Sequence, residues 1–168
     1  MIRKATEADA GAVAAIYGAI LDLPYDIGWV RGVYPTIKTA EAALERGDLF
    51  VCDDGGKIKA SAVINKIQVP EYALGRWKYP APDDKIMVMH TLTVDPAYAG
   101  RGIGGEMIKF YEEYARADGC TVLRIDTNAK NSRARAMYAH LGYEEIGAVP
   151  CTFNGIAGVS LVLLEKKL

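Results

Sequence analysis

The sequence predicts an α/β (α+β) fold in a single domain, residues 1–168, with helices set between the strands of a sheet of about seven strands. Three observations point there. A length of 168 residues is usual for one domain. Short apolar runs, several rich in β-branched residues, alternate with helix-period stripes along the whole chain. One run, Ile86 to Val94, is apolar on both faces apart from His90 and the threonines, as expected of a central strand covered on both sides.

Ile2 to Lys4 reads as a short opening strand. Thr6, Glu7 and Asp9 then offer capping side chains to a helix whose stripe, Val13, Ile16, Tyr17 and Ile20, ends near Leu23-Pro24. A second helix carries Ala40, Ala43 and Leu44, with Thr36 or Thr39 at its start and Gly47 at its end. An irregular aromatic stretch, Tyr25 to Tyr34, lies between them. Asp53-Asp54-Gly55-Gly56 is a turn signal joining Leu49–Cys52 to Lys57–Ile67 as a hairpin. Residues 70 to 85, with Pro70, Pro80 and Pro82 among Tyr72, Trp77 and Tyr79, suit neither strand nor helix and read as a long loop, a kind of segment that often carries function. Beyond the central strand, a helix runs from Gly102 through Met107, Ile108, Tyr111 and Tyr114 to Gly119. The strand Thr121–Asp126, a shorter helix Ser132–Leu141 and two closing strands, Tyr143–Phe153 and Val159–Leu164, complete the chain.

The composition, 51% hydrophobic and 24% charged, is that of a soluble globular protein. A net charge of −1, from 20 basic and 21 acidic residues, gives no overall field to attract nucleic acid or an acidic membrane. A small-molecule or peptide substrate is the expectation. No run approaches the ~18 apolar residues of a spanning helix, and Glu7 and Asp9 stand where a signal peptide would need its apolar stretch. A cytoplasmic location follows as an expectation. Cys52, Cys120 and Cys151 are odd in number and widely spaced, which predicts reduced, mostly buried thiols and no metal site.

The chemistry concentrates after the central strand. Asp95-Pro96 leads into Ala99-Gly100-Arg101-Gly102-Ile103-Gly104-Gly105 and then a helix, an arrangement that points several free backbone N–H groups at one spot and so favours an anion. Arg101 can add a charged donor at the rim. Gly100, Gly102 and Gly105 also fit G-x-G-x-x-G, and Asp126 stands 21 positions after Gly105 at a strand end, as a dinucleotide fingerprint would want. Against that alternative, Asp95 to Ala99 separate the strand from the first glycine, and only about forty residues follow Asp126, too few for the remaining parallel strands. A Walker A loop is excluded because no Gly-Lys-Ser/Thr follows.

Two segments, Val94-Asp95-Pro96 to Gly105 and Asn131-Ser132-Arg133-Ala134 to Tyr138 with Leu141-Gly142-Tyr143, together resemble the GNAT family of N-acetyltransferases, and the order of elements agrees over nearly the whole chain. The family's loop pattern is Gln/Arg-x-x-Gly-x-Gly/Ala; Gly102 and Gly104 match it, while Ala99 replaces the Gln/Arg. The resemblance implies a mixed, mostly antiparallel central sheet, helices on both faces and a cleft between divergent strands that takes acetyl-CoA. It implies that backbone groups of Leu92, Thr93 and Val94 pair with the pantetheine arm, and that an N–H near Leu92 faces the developing oxyanion, where one such donor is worth about 3 kcal/mol. The pyrophosphate then falls on Ala99, Gly100, Arg101, Gly102, Ile103, Gly104 and Gly105, and Asn131, Ala134 and Tyr138 approach the cofactor.

Tyr138 is implied as the general acid for the leaving thiolate; Ala134, Met137, Tyr138 and Leu141 also form a helical stripe, which leaves a core role open. His90, whose strand parity matches Leu92 and Val94, is the candidate base, while His140 is expected at the surface. Tyr25, Asp26, Trp29, Glu71 and Trp77 are candidates for holding a cationic or aromatic amine, with loop anchoring as their alternative role. The alternatives to transfer are a nucleotide-dependent oxidoreductase and a module that binds CoA or a protein without catalysis. A homodimer through exposed strand edges is left open.

Overall fold

The computed structural model describes residues 1–168. The strands are β1 (Ile2–Lys4), β2 (Leu49–Asp54), β3 (Lys57–Asn65), β4 (Ile86–Val94), β5 (Val122–Asn128), β6 (Glu144–Phe153) and β7 (Ile156–Lys167). The helices are α1 (Ala10–Leu21), α2 (Ile37–Arg46), α3 (Ile103–Ala117) and α4 (Ser132–His140). The strands form a seven-stranded sheet in the order β1-β2-β3-β4-β5-β7-β6. β4 and β5 are parallel, whereas β1/β2, β2/β3, β5/β7 and β6/β7 are antiparallel. The fold class is the expected one. A dinucleotide fold needs consecutive parallel strands, and the antiparallel partnership of β5 with β7 removes that alternative.

Two compact units divide the chain, and β4 and α3 each contribute to both. The first comprises Met1–Pro24, Trp29–Ile64 and His90–Tyr111. Its core joins Val13, Ile16 and Tyr17 of α1 and Ala40 and Ala43 of α2 to Leu49, Val51, Ile58 and Val63 of the β2/β3 hairpin. The entry to α1 is set by Asp9, whose carboxylate accepts the Thr6 N–H at 2.7 Å and the Arg3 guanidinium at 2.8 Å. Arg3 also reaches Asp53 at 2.8 Å, so one cation ties β1 to both the helix start and the end of β2.

Arg3 is the chief cause that holds the Asp9 carboxyl at about 2, below its ordinary 3.8. A carboxyl depressed in the folded state stabilises the fold above the ordinary value and loses that contribution as pH falls through the folded one. Unfolding followed by circular dichroism is therefore expected to reveal a loss of stability as pH drops from about 4 to about 2, and Asp9→Asn should abolish that part of the dependence. An unchanged acid profile in the variant would refute the assignment.

The second unit comprises Tyr25–Gly28, Asn65–Met89 and Glu112–Leu168. Its core gathers Tyr72, Ile86, Val88, Val122, Val149, Val159, Leu161 and Leu163. The expected loop between β3 and β4 contains two short 3-10 turns, Pro70–Leu74 and Asp83–Lys85, and is pinned to the sheet at three points. The Tyr72 hydroxyl donates to Asp126 of β5 at 2.8 Å. The Trp77 ring lies 3.9 Å under the Arg124 guanidinium. Glu165 of β7, fully buried, accepts the backbone N–H groups of Lys78 and Tyr79 at 2.5 and 3.3 Å. Gly75 permits this packing because a Cβ there would meet Trp77 Nε1 at 2.8 Å and Leu163 Cδ1 at 2.9 Å.

The last strand begins earlier than the sequence predicts, at Ile156 rather than Val159. Asn154 and Gly155 both adopt positive φ, +51 and +77, and close β6 directly onto β7 with Phe153 opposite Ile156. An Asn-Gly pair is a strong two-residue hairpin signal; the small Ala157 and Gly158 that follow read as continued loop and hid it.

Candidate active site

In the first unit, β4 ends in an unusual stretch. Its parallel ladder joins Ile86–Met89 to Val122–Ile125, and the strand itself runs on to Val94. Thr91 has φ +50, which is rare for a β-branched residue and costs about 1–3 kcal/mol. Its hydroxyl is hydrogen-bonded to that of Tyr34. Because Thr91 leaves the extended region, the simple alternation expected to group His90 with Leu92 and Val94 is interrupted. His90 and Leu92 are half-buried. Thr93 is buried, with its hydroxyl 2.7 Å from Ser61 Oγ, so its side chain belongs to the core and its backbone alone is left for other partners.

After β4, Asp95 caps a 3-10 turn, Pro96–Tyr98, by accepting the Ala97 N–H at 2.9 Å. Ala99, Gly100, Arg101 and Gly102 are exposed. Gly100 and Gly102 have φ of +75 and +81, which side chains other than glycine adopt at a cost. A Cβ on Gly100, Gly102 or Gly105 would meet nothing within 4 Å, so the turn stands open. The Glu106 N–H finds the Gly102 carbonyl at 3.0 Å and starts the α3 ladder. The N–H groups of Ile103, Gly104 and Gly105 precede that ladder and are unspent within it, at the positive end of the helix dipole. Positive charge lies close by: Arg101, Lys57 and Lys59 stand 5.3, 5.2 and 4.9 Å from the centre of the Tyr98 ring. These residues fit a phosphate group by room, donors and charge.

In the second unit, Asn131 caps α4 by accepting the Ala134 N–H at 3.2 Å, a local role the sequence reading did not give it. Tyr138 is 4% exposed and packs edge-on against Tyr143, with ring centres 6.0 Å apart. Burial, and then the charge of Asp126, push its hydroxyl above the ordinary phenol value, so it is firmly protonated at neutral pH. Asp126 is itself raised to about 6 by burial, against the opposing Tyr72 hydrogen bond and with the charge of Glu71 adding to the rise.

The expected acceptor residues are divided. Tyr25 and Asp26 belong to this second unit near the start of α4, where Arg133 lies 4.4 Å over the Tyr25 ring and Lys130 pairs with Asp26 at 2.7 Å. Trp29 belongs to the first unit and sits edge-on to Tyr17 and Tyr34, at 6.3 and 6.2 Å. Trp77 is engaged by Arg124, and its indole N–H donates to the Tyr72 carbonyl at 2.7 Å. Glu71 is half-buried and His140 is exposed. Cys52 and Cys120 are buried and Cys151 half-buried, all as free thiols.

The profile of the acetyltransferase (GNAT) family matches residues 17–143. The chain belongs to this family. Among its relatives, the N-alpha-acetyltransferase RimI of Mycobacterium tuberculosis is 36% identical over 59 residues, which are 35% of each chain. The thialysine N-epsilon-acetyltransferase of Bos taurus is 28% identical over 87% of this chain and 85% of its own. The yncA structure from Salmonella typhimurium, solved with its cofactor acetyl-CoA, is 20% identical with a TM-score of 0.68, covering 100% of this chain and 93% of that one. The chain thus spans about a third of RimI but most of the bovine relative. No helix is long and apolar enough to cross a membrane.

As a GNAT member the chain departs from the loop pattern at the exposed Ala99, which stands in place of Gln or Arg, and Arg101, Lys57 and Lys59 gather around the ring of the neighbouring Tyr98. Sequence reasoning missed two residues of interest. The sequence offers Asp126 only as a ribose partner, because its bond to Tyr72 spans 54 positions. Thr91 gave no signal at all, since threonine is an ordinary strand residue and strain is a property of the backbone.

Proposed function

We propose that the chain is an acetyl-CoA-dependent N-acetyltransferase that moves an acetyl group directly to a primary amine of a small molecule or peptide. The observation that carries this reading is the turn Gly100–Gly105, open to its surroundings and headed by N–H groups that the α3 ladder does not use. The pyrophosphate of acetyl-CoA rests on those groups, with Arg101 at the rim, and backbone groups of Leu92, Thr93 and Val94 take the pantetheine arm. Asn131 and Ala134 complete the cofactor contacts. Two named relatives act on nitrogen, alpha in one and epsilon in the other, which supports a nitrogen acceptor here.

Tyr138 gives its proton to the departing thiolate. A thiol titrates near 8.5 and a free phenol near 10, so the transfer is uphill, and the raised Tyr138 hydroxyl makes it more so than a free phenol would. The acceptor must lose a proton before it attacks, and His90 is the base that the sequence supplies. Positioning contributes most of the acceleration, since effective molarities of oriented groups reach about 10⁵ M.

A thiol-release screen of amines, amino acids and peptides with acetyl-CoA tests the reading. Release that depends on a primary amine supports it. CoA protection against thermal unfolding with no release across the panel would sink it in favour of a binding module.

A further inference from the structure

The aromatic stretch after α1 has no task in the chemistry above, yet one of its members is bonded to the strained residue of β4. Tyr17, Trp29, Tyr34, Ser61 and the last residues of β4, from His90 to Val94, all lie in the first unit. Tyr17 of α1 is 2% exposed and belongs to the core of that unit. The Trp29 ring stands edge-on to it with centres 6.3 Å apart, and the Tyr34 ring stands edge-on to Trp29 at 6.2 Å. The backbone at Tyr34 is closed as firmly: its N–H donates to the Val30 carbonyl at 3.0 Å, and the Val30 N–H donates to the Tyr34 carbonyl at 3.2 Å. A side chain mounted in this way gives up little further freedom when it forms a bond, so its hydroxyl acts as a fixed point.

That hydroxyl meets the hydroxyl of Thr91. Positive φ at a β-branched residue persists only where its surroundings impose it, at a cost of the same order as a hydrogen bond. Threonine is stiff at χ1, so a bond to its hydroxyl constrains the backbone that carries it. The peptide between Thr91 and Leu92 is a rigid plane whose tilt follows the torsions of these two residues, and the Leu92 N–H lies in that plane. On the other side of Leu92, Thr93 is held by Ser61 Oγ at 2.7 Å. Leu92 thus stands between two anchored threonines, on the part of β4 beyond its ladder with β5.

We infer that Tyr34 is a positioning residue for acetyl transfer: its hydroxyl holds Thr91 at positive φ and so aims the Leu92 N–H at the place where the oxyanion develops, with Trp29 and Tyr17 as its support. The inference rests on the acetyl-transfer reading, with Leu92 as the oxyanion donor. Such a donor works by being fixed before the reaction, because it then needs no reorganisation as charge develops. Without the Tyr34 hydroxyl, Thr91 relaxes toward the extended region, the peptide plane turns and the donor is misaimed. CoA binding, spread over the glycine turn and the backbone of Thr93 and Val94, changes little.

The test reads conformation and catalysis separately. In the ligand-free chain, Tyr34→Phe is expected to raise the Thr91 coupling between amide proton and Hα, which reports φ, toward its extended-strand value, and to move the Leu92 peak in the amide NMR spectrum. In thiol release with the most active primary amine, Tyr34→Phe should lower kcat about tenfold, a part of the roughly hundredfold or greater loss that removal of an oxyanion donor brings. The dissociation constant of CoA in equilibrium dialysis should stay within about twofold, since the phosphate contacts are intact. Thr91→Val removes the other hydroxyl and should cost as much, and the double variant no more than either single, as for two halves of one interaction. A core role for Tyr34 would lower Tm without these changes. A Thr91 coupling that stays put, an unchanged kcat, a loss that falls on CoA affinity instead, or losses that add in the double variant would overturn the inference and leave acetyl transfer standing. A wild type that releases no thiol with any amine would overturn both. If Tyr34→Phe fails to fold, Thr91→Val decides alone through the same separation of kcat from CoA affinity.

Discussion

Tyr138→Phe is expected to lower turnover about a hundredfold, the usual worth of one positioned proton donor, while CoA affinity and thermal stability stay near wild type. The two expectations have separate grounds. The ring is what packs: Tyr138 is 4% exposed and its contact with Tyr143 is between aromatic faces and edges, which phenylalanine reproduces. The hydroxyl is what the proposed acid role needs, and its protonated state at neutral pH is secured by burial and by the Asp126 charge. Loss of stability with unchanged turnover would make Tyr138 a core residue of the helical stripe and dismiss it as the acid. Steady-state thiol release with equilibrium dialysis of CoA separates the outcomes.

Leu163→Ala should produce the largest change in stability, about 2–5 kcal/mol, because it removes a fully buried side chain from a packed cluster and leaves a cavity. For a chain of this size each kcal/mol shifts Tm by roughly 2–4 °C, so a fall of roughly 5–20 °C is expected in a thermal scan. The effect should spread to the loop above it. Leu163 stands where a Cβ on Gly75 would reach it at 2.9 Å, and it is the register partner of Asp126. A change below about 1 kcal/mol would mean that the site collapses onto smaller side chains.

Much of the fold was legible because its signals are local. The Thr36/Thr39 start and Gly47 end of α2, the Asp-Asp-Gly-Gly turn and the two-faced apolar run of β4 each express a short-range preference that the tertiary structure keeps. The glycine turn was legible for the same reason: its unspent donors follow from where a helix begins. The loop before β4 was legible only as a loop. Its anchors, Asp126, Arg124 and Glu165, come from strands 47 to 87 positions away, and nothing in Tyr72, Trp77 or Lys78 announces them. The aromatic stretch from Tyr25 was grouped by neighbourhood in sequence, whereas Tyr25 and Trp29 take their partners from α4 and α1 respectively.

That loop is therefore poor material for exchange between relatives. Its three attachments differ in chemistry: a hydroxyl on a carboxylate, a ring under a guanidinium, and two amides on a buried carboxylate. A chimera that receives residues 70–79 without Arg124, Asp126 and Glu165 inherits one hydroxyl and two backbone amides with nothing to meet, and one that keeps those three residues but takes a foreign loop has the converse defect. Chimeras should therefore be cut to carry strand and loop together.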